Sequence, residues 1–481
     1  MEPSSDPTDA PLPIALQPHL RLLIPLVVAF AFFLEQLDST IITTAIPDIA
    51  IGLHETPLRL NLALTSYILC LAVFIPVSGW VADRFGMRRT FVAAIAIFTL
   101  GSITCGAAID LRTLILSRIV QGFGGAMLTP VGRLILLRSF PRHELVNAMT
   151  YVVIPAVLGP VIGPLAGGVI TTYASWRWIF YVNIPFGLTG MALAWQFVPD
   201  IGQVPGQRFD WLGFFISGLC LALLEFGIEN LGRPLVPGLV VGGSFAVGGL
   251  LALFYGFYAK HHANAVLDLS LLRVRTFRIS LTSGSLSRVG LNSVSFLLPL
   301  MLQVGFGLSP MQSGSITFVS ALSTLVIRPV SVRMLRWLGY ARLLRVNVLL
   351  AGAGLASFAL VTGATPHIVL LGLVLIFGMF RNVQFNALQT LTYADISPAV
   401  LSRATSLGSV VQQLSMGFGI SVSATLLGMM AGPDALSVAD FHRVFLAVAV
   451  IAVLGMPGFL ALTPTDGMQV SGHRPRSSPA T

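Results

Sequence analysis

Lysine is nearly missing from this chain: of 28 basic residues, Lys260 is the single lysine and the rest are arginine. Charge of either sign is scarce, at 10% of 481 residues. Water-soluble globular chains carry about 25%, so an ordinary soluble globule is excluded. The net charge of +9 forms no basic stripe of the kind nucleic acid requires, because the arginines fall between hydrophobic runs. The three cysteines, Cys70, Cys105 and Cys220, all sit inside apolar segments. That rules out a disulfide framework and a metal-ligand spacing, and leaves buried thiols. His261 and His262 are adjacent in a polar connection and read as surface residues. No phosphate loop, no metal-spaced His/Cys set and no nucleophile–base arrangement is present, which argues against an enzyme. Residues 1–20 are polar, Pro-rich and acidic, without the basic start and cleavage site of a signal peptide, and read as a disordered tail.

What is there is apolar. Hydrophobic residues make up 55% of the chain, and the mean hydropathy is +0.86. Fourteen apolar runs can be marked, at 22–46, 60–82, 90–108, 111–132, 146–172, 178–198, 212–229, 236–258, 279–303, 311–332, 343–363, 367–391, 404–430 and 444–463. Each is long enough to cross about 30 Å of hydrocarbon as a helix. The connections alternate in charge. One set holds Arg84, Arg88 and Arg89, then Arg138 and Arg142, Arg208, Lys260 with Arg273, Arg275 and Arg278, then Arg333, Arg336, Arg342 and Arg345, and Arg403. The other holds little beyond Arg59, Arg112, Arg177, Arg233 and Arg443. Positive charge stays in the cytoplasm, so both termini are expected there, as an even number of spans requires.

An internal echo divides the chain. GWVADRFGMRRTF (79–91) follows the second run and RPVSVRMLRWLGYARLL (328–344) follows the tenth. Each reads as a helix end, a glycine turn and basic residues before the next helix. Two related halves predict a transporter with its substrate site between them, near the membrane midplane. The expected organisation is a tail (1–20), a six-helix half (21–198), two additional helices (199–258), a cytoplasmic linker (259–278), a second six-helix half (279–463) and a tail (464–481).

The ionisable residues inside the runs are few: Glu35, Asp38, Arg118, Glu225, Arg288, Arg328 and Arg381. On insertion scales a charge at the centre of a spanning helix costs about 2.5–3.5 kcal/mol, so each is expected to face the bundle interior. Glu35 and Asp38 lie one turn apart on one face, as do Arg118 and Gln121. A carboxylate whose exposure to water changes during transport can load a proton on one side and release it on the other. Asp38 is the first candidate for that role, or else a packing partner for an interior arginine. Glu35 is the second candidate. Arg118, Arg288 and Arg381 are expected either to pair with carboxylates or to hold an anionic group.

Five motifs carry a family resemblance. The loop after the second run has Gly79, Asp83, Arg84, Gly86, Arg88 and Arg89, with Met87 where a basic residue is usual. The fourth run reads LILSRIVQGFGGAM with Arg118, Gln121 and Gly122. The fifth reads GPVIGPLAGG, with Gly159, Gly163, Pro164, Gly167 and Gly168, a small-residue stripe suited to close helix contact. Pro155, Pro160 and Pro164 should bend it. LDSTIITTAIP (37–47) and WRWIFYVNIPFG (176–187) complete the set. The chain resembles the major facilitator superfamily, and within it the fourteen-helix drug/proton antiporter branch. The resemblance implies an all-α membrane protein with two six-helix halves plus two central helices. It implies multidrug efflux of hydrophobic or cationic small molecules, driven by the proton gradient with no cofactor. The alternative on the same fold is a dedicated exporter of one metabolite or anionic compound. A multi-pass protein of the inner membrane is expected, working as a monomer, alone or with periplasmic and outer-membrane efflux partners.

Overall fold

A computed structural model describes residues 20–140, 142–199, 209–231, 236–262, 265–397, 400–430 and 436–471. The side chains of residues 142–157, 325, 328, 329, 332, 402 and 469 are not described. The expectations for the N-terminal tail, Arg208 and Arg233, and for the side chains of Arg142, Pro155 and Arg328, therefore lie outside the described residues, as does the tail beyond residue 471. The described residues form helices joined by short turns. In chain order these are α1 (Leu20–Ile41), α2 (Ile46–Gly52), α3 (Asn61–Phe85), α4 (Met87–Gly106), α5 (Leu111–Ser139), α6 (Arg142–Tyr173), α7 (Trp178–Tyr181), α8 (Asn183–Phe197), α9 (Trp211–Asn230), α10 (Gly238–His261), α11 (Arg275–Asn292), α12 (Val294–Leu300), α13 (Pro310–Ser357), α14 (His367–Ala394), α15 (Leu401–Met430), α16 (Val438–Val453) and α17 (Met456–Leu460).

Local sequence explains where the helices start. Asp110 caps α5 by accepting the Thr113 N–H at 2.7 Å while Thr113 reaches back. Those Thr113 bonds hold the exposed Asp110 carboxyl below its ordinary value. Ser309 and Gln312 form the same reciprocal cap before Pro310 opens α13, and Ser437 with Asp440 opens α16. Each cap satisfies N–H groups that the first helical turn leaves without a partner. The glycine turns behave as the repeated motif predicts. Gly86 (φ 90°) ends α3, and Gly339 (φ 68°) splits α13 into two rods. Both sit in the left-handed region that a side chain disfavours.

Twelve helices among the described residues are long and apolar enough to cross a membrane, so the chain is a multi-pass membrane protein. The apolar end of α6 and the first rod of α13 pack in the same bundle. α1, α3, α4, α5, α6 and α8 form one group, and α11, α13, α14, α15 and α16 another. The groups meet along α6 against α13 and α3 against α15, while α9 and α10 pair and α9 rests on both α3 and α15. The apolar window of the span beginning at Arg275 is 78% buried and that of α10 only 22%, which puts the accessory pair at the rim.

The small-residue stripe of α6 has two faces. On one, Gly159, Gly163 and Gly167 lie against Gln36, Thr40, Ile41 and Thr44 of α1 and the short 3-10 segment that follows it. On the other, Gly168 lies against Pro310 and Met311, and Gly314 of α13 returns the contact on Pro164. The Met311 N–H donates to Thr172 Oγ1 at 3.1 Å and Gln303 donates to the Thr44 carbonyl at 2.9 Å. These contacts close the two groups together at the end away from the Arg-rich loops. A side chain at Gly163 would drive into Thr40, whereas one at Gly79 meets nothing within 4 Å. Gly163→Val should therefore destabilise the protein by about 1–3 kcal/mol, and Gly79→Ala should leave it unchanged within about 0.5 kcal/mol. Thermal unfolding in detergent checks both.

Candidate functional site

Four helices of the first group deliver polar side chains to one buried point, and Asp38 of α1 is its centre. Asp38 is wholly buried. Its Oδ2 accepts from Arg118 Nη1 at 2.7 Å, and its Oδ1 accepts from Gln121 Nε2 at 2.7 Å and Asn183 Nδ2 at 2.8 Å. Arg118 also donates to Gln121 Oε1 at 2.6 Å, and its Nε reaches the Ala63 carbonyl at 3.3 Å. Ser102 of α4 sits within hydrogen-bond distance of the Gln121 and Asn183 amides, at 2.6 and 2.9 Å. The Arg118 guanidinium lies over the Tyr67 ring, 4.1 Å from its centre. The i, i+3 spacing of Arg118 and Gln121 brings both to one carboxylate, as their shared helix face predicts.

An ion pair removed from water stands only when its remaining donors and acceptors are also satisfied. Here every Asp38 oxygen has a donor and the guanidinium has an aromatic face as well. That arrangement holds a carboxylate in a dry interior. Proton arrival at Asp38 would cancel the pair and free Arg118.

Glu35 lies one turn toward the helix middle and is also buried, at 7% exposure. It does not join the network. Its Oε2 accepts from Thr129 of α5 at 2.7 Å, and Arg133, one turn further along α5, acts on it electrostatically. The two acids are therefore served by different turns of the same helix. The α1 segment runs from Glu35 through Asp38 to Thr40, Ile41 and Thr44, the residues under the α6 stripe and Gln303. Charge and closure share ten residues of chain.

The loop motif is split by the fold. Asp83 pairs with Arg138 at the end of α5, at 2.7 Å, rather than with an arginine of its own loop. Arg88 lies 5.2 Å from the centre of the Trp195 ring, while Arg84 and Arg89 are exposed. Met87, the departure from the motif, is fully buried, so a cation there would face the core. In the second group neither Arg288 nor Arg381 meets a carboxylate. Arg288, 5% exposed, donates a long 3.4 Å bond to the Ser280 carbonyl. Arg381 rests near Phe377, with its Nε unpartnered. Of the two roles expected for these arginines, pairing with an acid or holding an anionic group, no acid partner is seen among the described residues.

A family model of the Major Facilitator Superfamily matches residues 28–420. The chain belongs to the Major Facilitator Superfamily. It is 37% identical over 438 residues to a multidrug resistance protein MdtD of Pectobacterium carotovorum subsp. carotovorum, covering 90% of this chain and 94% of that protein. With the namesake from Serratia proteamaculans it shares 39% identity over 84% of this chain and 85% of that one. Among solved structures it is similar to a POT family transporter in complex with 5-aminolevulinic acid (TM-score 0.69, 15% identity, 93% of this chain and 96% of that one). A D-xylose-proton symporter is similar too (TM-score 0.65, 14% identity, 92% and 98%). At such identities these two speak for the fold alone. As a member of this family the chain is a small-molecule transporter and not an enzyme.

Sequence reasoning had not singled out Ser102, Asn183, Tyr67, Thr129 or Arg133. Asn183 lies inside the quoted WRWIFYVNIPFG stretch, where an amide between apolar residues was the available signal; Ser102 offered none. The three thiols are free and buried as expected, and no metal-binding cluster occurs among the described residues. Removing one partner of the central pair should be costly. Arg118→Met should destabilise the protein by about 3–5 kcal/mol, and adding Asp38→Asn should recover most of that loss. Thermal unfolding of the two variants beside wild type measures both steps.

Proposed function

We propose that this transporter exports hydrophobic and cationic small molecules as a multidrug efflux protein, by exchanging them for protons through alternating access. The observation that carries this reading is the buried Asp38–Arg118–Gln121–Asn183 cluster directly beneath the α1–α6–α13 contact. A proton on Asp38 weakens its hold on Arg118, and α1 is then less constrained where it supports the closed end. Bistable packing of this kind converts a local charge change into a rigid-body motion. The relatives' names support multidrug efflux; the family resemblance supplies hydrophobic and cationic compounds as the substrate class and the proton as driving ion, with no cofactor. The placement we propose is the inner membrane, with both termini in the cytoplasm as the arginine-rich connections imply. A monomer suffices for the cycle, with or without periplasmic and outer-membrane efflux partners.

Glu35 supplies a second negative group, and its separate partner Thr129 leaves it available to a cationic cargo. Arg288 and Arg381, which have no acid partner among the described residues, favour a second reading: an exporter of anionic compounds on the same fold. Competition of dye efflux by anionic against cationic compounds separates the two.

In everted vesicles, Asp38→Asn should abolish the pH-driven efflux of a fluorescent cationic dye while membrane abundance stays at the wild-type level. Glu35→Gln should give a partial loss that differs among dyes. Normal pH-dependent efflux by the Asp38 variant would remove Asp38 from proton exchange, and uniform wild-type behaviour of the Glu35 variant would make that residue structural.

A further inference from the structure

The accessory helices contribute a feature the transport reading above does not use. α9 carries Glu225 and Glu229, one turn apart, only 4% and 5% exposed. They do not face lipid. They lie where α9 packs against α3 of the first group and α15 of the second. Ser421 of α15 donates to Glu225 Oε1 at 2.5 Å, and the same hydroxyl oxygen is 3.5 Å from Glu229 Oε1. Thr65 of α3 donates to Glu229 Oε1, and Thr425 of α15 donates to the Ile228 carbonyl at 2.9 Å. One turn of α9 therefore makes hydrogen bonds to both groups at once. Thr65, Ile68, Leu69, Leu414 and Gly417 close around Glu225 and leave no room for water beside it.

The surroundings of Glu225 are otherwise neutral. Its own helix presents Glu229; α3 presents Thr65 and apolar side chains; α15 presents Ser421, Leu414 and Gly417. α10 bears charge only at its far end, Lys260 and His261. No Arg or Lys among the described residues forms an ion pair with Glu225. Ser421 has one hydroxyl proton and gives it to Glu225 Oε1, while Glu229 Oε1 is also served by Thr65; among the described residues that hydroxyl is the side-chain donor Glu225 receives, and one neutral donor compensates a buried carboxylate poorly. The same stretch of α3 also touches the Asp38 site: Ala63 and Tyr67 meet Arg118, and Thr65 between them meets Glu229.

We propose that Glu225 is a second proton-binding group, which positions α3 and α15 relative to each other during the transport cycle. The chemistry is a single reversible O–H bond: Glu225 carboxylate takes a proton from hydronium of the aqueous phase, which leaves as water, and becomes a neutral acid. The closed seam, from which water is excluded, accommodates the neutral acid. Parting of α15 from α9 returns water to the carboxylate and favours its charge. By linkage, proton binding then favours the closed seam and proton loss favours its parting. The accessory pair acts as a proton-sensitive strap across the two groups. This inference rests on the family's alternating motion but not on the identity of the cargo.

The test uses the full-length protein in lipid nanodiscs. Spin labels are placed through Phe85→Cys and Trp337→Cys, exposed positions on the two groups at the Arg-rich end (54% and 81% exposed). The three native thiols are buried and stay in place. All variants carry Asp38→Asn, so that the primary site cannot titrate. Between about pH 5.5 and about pH 8.5 the ratio of short to long interspin distances should shift about fivefold or more, and adding Glu225→Gln should flatten that dependence at its low-pH ratio. A flat profile in the Asp38→Asn protein overturns the proposal, as does an undiminished shift after Glu225→Gln. If Glu225→Gln does not accumulate, Ser421→Ala is read instead: a displaced midpoint supports the strap and an unchanged one overturns it. Absence of dye efflux by the protein that retains Asp38, with the distance shift intact in the Asp38→Asn background, would count against the exporter reading and leave this one standing.

Discussion

The ion pair between Asp38 and Arg118 is the contact on which the site's architecture depends. Two charges buried in a membrane bundle stand only if their hydrogen bonds are complete, and completing them takes residues from α1, α3, α4, α5 and α8. The pair therefore fixes the relative placement of most of the first helical group. It does so on the α1 segment that supports α6 and, through Gln303, meets the second group. A charge change at Asp38 cannot stay local when its neighbours in sequence form the closed end of the molecule.

In the proposed cycle the packing of the α6 stripe carries that change. Glycines four residues apart bring α1 close enough for backbone contact on one face, and Gly168 with Gly314 does the same for α13 on the other. Close contact of this kind leaves little slack, so the helices can exchange one packing for another but cannot deform gradually. The accessory pair α9–α10 adds a second place where the groups touch through a titratable carboxylate. α3 lies between the two places and contacts both.

Much of this was legible in the sequence. Run lengths and alternating arginines gave the helices and their order, because membrane insertion imposes those patterns directly. The glycine of each repeated loop marked a left-handed turn, since Gly86 and Gly339 have few alternatives there. Asp38, Arg118 and Gln121 stood out because polar groups in apolar helices are costly. Their convergence was not legible, because nothing in the spacing of Ser102, Asn183 and Asp38 records that α1, α4 and α8 meet. Glu225 is buried as its cost in hydrocarbon predicts, but its neighbours were not legible, because the accessory helices lie outside the two repeats and only the packing of α9 on α15 brings it to Ser421. The acid partners foreseen for Arg288 and Arg381 do not appear among the described residues, since the described acids of the second group lie toward its helix ends and connections.

The central claim is that the proton exchanged for cargo sits on Asp38. Purified protein in weakly buffered detergent, mixed with a cationic dye in the presence of a pH indicator, tests this without any gradient. Wild type is predicted to release up to about one proton per dye bound, as cation and proton exclude each other, and Asp38→Asn is predicted to bind dye with no release. Undiminished proton release by Asp38→Asn would contradict the account.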